Sequence, residues 1–297
     1  MFQAIRSKYP LPETKNMSTP MTEAVPMHPL AKTSAPTVMH RMISLVWGAF
    51  ALVFMAPVKL VAIFGALSIA TVAAWLINRG TDPEHPLPKT RAKCFRVGNW
   101  ILARLLCIGH GLIIVEKNTQ FRDKNARVIC GNHCSYLDAL VLSALGGGSA
   151  VVNAGMADFW FLRQILKVSR AIVVQRAPRP DDPESLKKRR AKTAAEFGLA
   201  GRSASELMRR RVSEMEAGKE WPPLLIFPEG TISSKKCVLR FRTSAFRLGN
   251  CAIQPFVQRY KTAVDLEWLT NSGKSAFLRS LLNPFGIIEV EWLPIVR

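Results

Sequence analysis

The stretch Ala126-Arg127-Val128-Ile129-Cys130-Gly131-Asn132-His133-Cys134-Ser135-Tyr136-Leu137-Asp138 decides the fold. Residues 126–130 form a short apolar run that reads as a buried strand. Residues 138–145 follow a helical pattern that stops at Gly146-Gly147-Gly148. Between them lies a loop with a histidine and a carboxylate five positions apart. Working outward, strand-like runs recur at 111–116, 150–153, 171–175, 224–227, 252–258 and 287–293. Helical patterns cover 89–107 and 159–168, and the polar segment 178–219 is mostly helical in pattern. Strands alternating with helices predict an α/β domain over residues 89–297, with a mixed, mostly parallel sheet flanked by helices. Functional loops then gather at the strand ends.

The second informative stretch is Phe227-Pro228-Glu229-Gly230-Thr231-Ile232-Ser233, directly after the apolar run Leu224-Leu225-Ile226. It sets an acid between a rigid proline and a flexible glycine. His133 and Asp138 have the character of a general base and the group that orients it. His-x4-Asp alone arises by chance in many chains; both motifs in this order, each after a strand, are far more specific.

The chain of 297 residues is 48% apolar, enough to bury a real core. Lys and Arg outnumber Asp and Glu by 41 to 21, a formal charge of +20, which favours partners that carry phosphate. The apolar stretch 43–77, broken by a single charge at Lys59, has no use in a nucleic-acid-binding protein and points to a membrane instead. As one helix it would reach about 52 Å, beyond the roughly 30 Å hydrocarbon core. Residues 43–78 are therefore expected to form a membrane-anchoring helical hairpin with its bend near Pro57 and Lys59; the second reading is a single span. Residues 1–42, with six prolines, read as a flexible tail. The basic runs Lys187-Lys188-Arg189-Arg190 and Arg209-Arg210-Arg211 read either as a solvated face or as contacts to lipid head groups.

Six cysteines show no disulfide framework, and Cys130, His133 and Cys134 lack a second ligand pair for zinc, so no metal is expected. Cys134, beside the base, could itself be a nucleophile giving a covalent route. No loop with the EF-hand calcium pattern occurs, so calcium control is not expected.

These passages, together with Ala56-Pro57-Val58-Lys59-Leu60, Cys237-Val238-Leu239-Arg240-Phe241-Arg242, Ile253-Gln254-Pro255-Phe256-Val257 and Glu289-Val290-Glu291-Trp292-Leu293-Pro294, resemble the glycerophospholipid acyltransferase family. The wording is closest to its lysophosphatidylcholine acyltransferase branch. The resemblance implies transfer of a fatty acyl chain from acyl-CoA, as co-substrate and with no cofactor, to the free hydroxyl of a lysophospholipid. A lysophosphatidic acid acceptor is the alternative, and a non-catalytic lipid-binding or scaffold protein is the rival from another class. By matching positions, His133 is the base and Asp138 its partner, Arg176 binds phosphate, and Glu229, Gly230, Thr231 and Arg242 shape the substrate site. Arg242, Ser244 and Asn153 stand where the branch usually has lysine, glycine and lysine. Cys134 falls at a variable position, which favours direct attack by the lipid hydroxyl. Partners implied are acyl-CoA, lysophospholipid and membrane lipids, with no nucleic acid. The chemistry suggests the endoplasmic reticulum, with the catalytic domain facing the cytosol.

Overall fold

The computed structural model describes residues 46–175, 183–199, 202–233, 239–249, 251–266 and 273–297. Among these, seven strands make one sheet: β1 (Leu112–Lys117), β2 (Val128–Gly131), β3 (Ser149–Asn153), β4 (Ile172–Val174), β5 (Leu224–Ile226), β6 (Ile253–Thr262) and β7 (Gly286–Trp292). Their order is β1-β7-β6-β2-β5-β3-β4. Every neighbouring pair is parallel except β6 with β7. The sheet is mixed and mostly parallel, as the alternation of apolar runs and helices predicts.

Side chains alternate between two cores. Val128, Cys130, Leu224, Ile226 and Ile253 face one side, where they meet Leu207, Met208 and Val212 of α6 (Ala204–Glu216). Leu225, Phe256, Ile288, Val290 and Trp292 face the other. There they are covered by Ala103 and Cys107 of α2 (Lys89–Gly109) and by Val141 and Leu142 of α3 (Asp138–Ala144). Burial on both faces is what demands near-continuous apolar strands. The polar segment 178–219 resolves into α5 (Glu184–Glu196) and α6. Helix α6 starts at a capping box, in which Ser203 Oγ accepts the Glu206 N–H at 3.2 Å and the Glu206 carboxylate accepts the Ser203 N–H at 2.6 Å. Helices α4 (Trp160–Val168) and α7 (Gly273–Leu282) also flank the sheet's strands in the chain; α7 was not foreseen from the sequence.

The apolar stretch departs from expectation. One helix, α1, runs continuously over Val46–Asn78 and does not turn back at Pro57 or Lys59. The reason lies one turn earlier: Ala51–Met55 winds as a π-helix, with the Ala56 N–H bonded to the Ala51 carbonyl. This wider turn delivers Pro57, which has no N–H to give, into the first turn of the following α-helical segment, where none is needed. The chain reverses at residues 79–88 instead, and α2 returns along α1. Ile77 packs near Ala92 and Phe95, while Ile63 lies against Gly109 and Leu106. Residues Ala51, Ala56, Lys59, Ile63, Ala66 and Ala74 form a buried stripe at helical spacing, and Val58, Val61, Phe64, Val72 and Leu76 are exposed opposite.

At the end of β2, Gly131 pairs with Phe256, and a Cβ at Gly131 would overlap the Phe256 ring. Gly131→Ala is expected to destabilise the domain by about 1–3 kcal/mol through overpacking. Thermal unfolding checks this, and adding Phe256→Leu should recover part of the loss.

Candidate active site

His133 begins where β2 ends, and Asp138 opens α3, so the intervening loop must turn back on itself. Asp138 is fully buried and makes that turn possible. Its Oδ2 accepts the Cys134 N–H at 2.7 Å, the Ser135 N–H at 3.0 Å and His133 Nδ1 at 2.7 Å. Its Oδ1 accepts the Tyr260 hydroxyl of β6 at 2.5 Å. Burial and the Asp138 carboxylate raise the Tyr260 phenol well above its ordinary range, so it stays a donor. A carboxylate that accepts from Nδ1 fixes the imidazole tautomer and leaves Nε2 as the ring's proton acceptor. Asn132 joins the loop to β6 through a pair of bonds: its Nδ2 donates to the Gln258 carbonyl at 3.1 Å, and its Oδ1 accepts the Gln258 N–H at 2.8 Å.

The second motif closes over the first. Phe227, one residue beyond β5, stacks on the His133 ring at 4.2 Å and 14°. Glu229 is buried; its Oε1 accepts the His133 N–H at 3.1 Å and its Oε2 accepts the Leu239 N–H at 2.9 Å. The Ser233 N–H donates to the His133 carbonyl at 2.7 Å. The imidazole is therefore held by its ring face, its Nδ1 and its own backbone, which lowers the entropy to be lost when a substrate is aligned.

Gly230 has φ +68°, in the left-handed region, and a Cβ there would overlap the Arg242 side chain. The Arg242 N–H also donates to the Pro228 carbonyl at 2.8 Å, while its side chain and Thr231 are exposed. Of the residues singled out from sequence, the structure thus gathers His133, Asp138, Glu229, Gly230 and Arg242. Arg176 lies outside the described residues. Gln175 just before it lines a cavity of about 260 Å³ at the ends of β3 and β4, with Asn153, Gly155, Asp158, Arg189 and Arg190. Strand β5 separates β2 from β3, so at about 4.8 Å per strand this cavity begins roughly 10 Å from the His133 loop.

Comparison with known proteins follows the same lines. The family model described as Acyltransferase matches residues 112–259, which run from β1 through the His133 loop and the Phe227–Ser233 motif to β6. Residues 112–259 belong to the acyltransferase family. It is 27% identical to lysophosphatidylcholine acyltransferase 2B of Mus musculus over 74% of its length. It is 27% identical to lysophospholipid acyltransferase LPCAT4 of Homo sapiens over 81%. It spans only 39% and 43% of the lengths of these two relatives. Among solved structures it is similar to the 1-acyl-sn-glycerophosphate acyltransferase PlsC of Thermotoga maritima. The TM-score is 0.52 at 11% identity, over 87% of this chain and 88% of that one, a likeness of fold.

Tyr260 was not singled out from the sequence, and Phe227, Asn132 and Ser233 were read as parts of their motifs without a role of their own. The register of β6 beside β2 brings Tyr260 to Asp138 and Gln258 to Asn132, and the fold-over of the second loop brings Phe227 and Ser233 to His133. Glu229→Ala would leave two N–H groups without their acceptor, at a cost of about 1–3 kcal/mol each. Thermal unfolding should fall accordingly, and limited proteolysis within 228–242 should speed up. Glu229→Gln, which keeps one carbonyl acceptor, should show the smaller effect.

Proposed function

We propose that the protein transfers a fatty acyl chain from acyl-CoA to the free hydroxyl of a lysophospholipid. The observation that carries this reading is His133 held by Asp138 and Phe227 with Nε2 as its acceptor nitrogen. A hydroxyl attacks a thioester poorly until its proton is removed, and a neutral imidazole is suited to that near pH 7. In this reading Nε2 takes the proton as the lipid oxygen bonds to the thioester carbon. The tetrahedral intermediate then collapses, the carbon–sulfur bond breaks, and the leaving thiolate recovers the proton from the imidazolium. Asp138 stabilises the imidazolium in between. The buried position of Cys134 supports the direct route over a cysteine-bound intermediate.

The cavity beside Arg189 and Arg190 is well placed for a phosphate-bearing head group, since a guanidinium can bind phosphate through two parallel bonds. Names of the relatives favour a lysophosphatidylcholine-type acceptor, and that of the solved structure the lysophosphatidic acid alternative. Attachment to a membrane fits α1, which is long and apolar enough to cross one. Its buried stripe runs most of its length against the domain, which supports an attitude along the membrane surface with the opposite apolar face in lipid. The cytosolic face of the endoplasmic reticulum, where acyl-CoA meets lysolipid, is the compartment this chemistry suits.

The test is transfer of label from oleoyl-CoA to a panel of lysolipids by membranes that carry the protein. The parent should yield a diacyl product. His133→Ala should lower kcat by about 10²–10⁴-fold, and Cys134→Ala should keep most of the activity. A folded parent that acylates no lysolipid would reject the reading; loss of activity in Cys134→Ala with the fold intact would restore the covalent route.

A further inference from the structure

Lys59 is the one charge in the apolar stretch and is buried. Among the described residues it meets no carboxylate. Its Nζ donates to the carbonyls of Ser280, at 3.5 Å, and Asn283. These lie at the C-terminal end of α7, where a helix leaves carbonyls without partners and carries its negative dipole end. Trp47, three turns earlier on α1, donates to the Leu282 carbonyl at 3.3 Å. Helix α1 therefore caps α7 with a cation.

Ser280 is itself fully buried, and its hydroxyl is fully used. It donates to the Phe277 carbonyl at 2.6 Å and accepts the Tyr136 hydroxyl at 2.8 Å. With its one proton spent, it must also accept from His110 Nδ1 at 2.9 Å. His110 is held neutral, with its pKa pushed down to about 4 by burial and the neighbouring Lys59 charge, which fits that role. Asn283 Nδ2 donates to the carbonyls of His110 and Gly111, at 3.4 Å each. Tyr136 sits inside the His133 loop, one residue beyond Ser135, whose N–H helps hold Asp138. One connected network thus joins α1, the end of α2, α7 and the His133 loop.

We propose that Lys59, Ser280 and Tyr136 are positioning residues, through which the docking of α1 on α7 sets the geometry of the His133 loop. Neither motif contains Lys59 or Ser280, and none of the three needs to touch a substrate. The side chain best able to report whether α1 is seated is then wired to the backbone amides that orient the base. The kinetic part of this inference rests on the acyltransferase reading; the structural part does not.

Hydrogen exchange of the peptide containing Cys134 and Ser135, measured on the full chain in membranes, tests it together with kcat and KM for both substrates. Lys59→Met should speed exchange there at least about fivefold and lower kcat by a similar factor, with both KM values within about twofold of the parent. Lys59→Arg, which also donates to carbonyls, should behave as the parent. Tyr136→Phe should reproduce the effect, and the double variant should be no worse than the more affected single one, because both cut the same connection. If Lys59→Met does not fold, Ser280→Ala carries the same expectation. Unchanged exchange in these variants, or effects that multiply in the double variant, would overturn the proposal. A parent without acyl transfer would reject the acyltransferase reading alone, and exchange would still decide the coupling.

Discussion

The buried carboxylate of Asp138 is the point on which the rest of the site depends. An acceptor removed from water is costly unless donors surround it, and here one oxygen takes three bonds and the other takes one. Two of these donors are amides of the loop itself, one is the imidazole, and one comes from β6, the strand beside β2. The same group thus folds the loop, fixes the ring and ties both to the sheet. Loss of any donor would leave the others less constrained, which is why the loop and the imidazole cannot be treated as separate features.

The sheet provides the frame for this group. Parallel strands β2, β5, β3 and β4 end on one side, so the His133 loop, the Phe227–Ser233 loop and the cavity at Asn153 and Arg189 share that edge. Glu229, itself in the second of these loops, accepts the His133 N–H of the first and the Leu239 N–H further along the chain. It works as a clasp between backbones, which explains why an acid is set between Pro228 and a glycine with positive φ. Rigidity comes from the strands, and the loops inherit it through bonds of 2.7 to 3.1 Å.

Much of this was legible in the sequence because the governing signals are local. Apolar runs such as Leu224-Leu225-Ile226 and stops such as Gly146-Gly147-Gly148 mark strands and helix ends with little help from distant residues. His133 and Asp138 were legible because their partnership spans five positions. Tyr260 was not, since it reaches Asp138 across 122 positions through strand register. The course of α1 was misread for a related reason: Pro57 marks a break in a regular α-helix, but one π-turn accommodates it. Lys59 was read as part of a bend, whereas its partners are carbonyls more than 200 positions away.

The bond between His133 Nδ1 and Asp138 selects the tautomer that leaves Nε2 free to accept a proton. Nitrogen NMR of the protein labelled at histidine, recorded near neutral pH in membranes with His133→Ala to assign the signal, measures this directly. A protonated Nδ1 and an unprotonated Nε2 are expected on His133, with that pattern lost or inverted in Asp138→Asn. A parent protein with its proton on Nε2 would contradict it, because the base would then lack the lone pair on which the proposed chemistry depends.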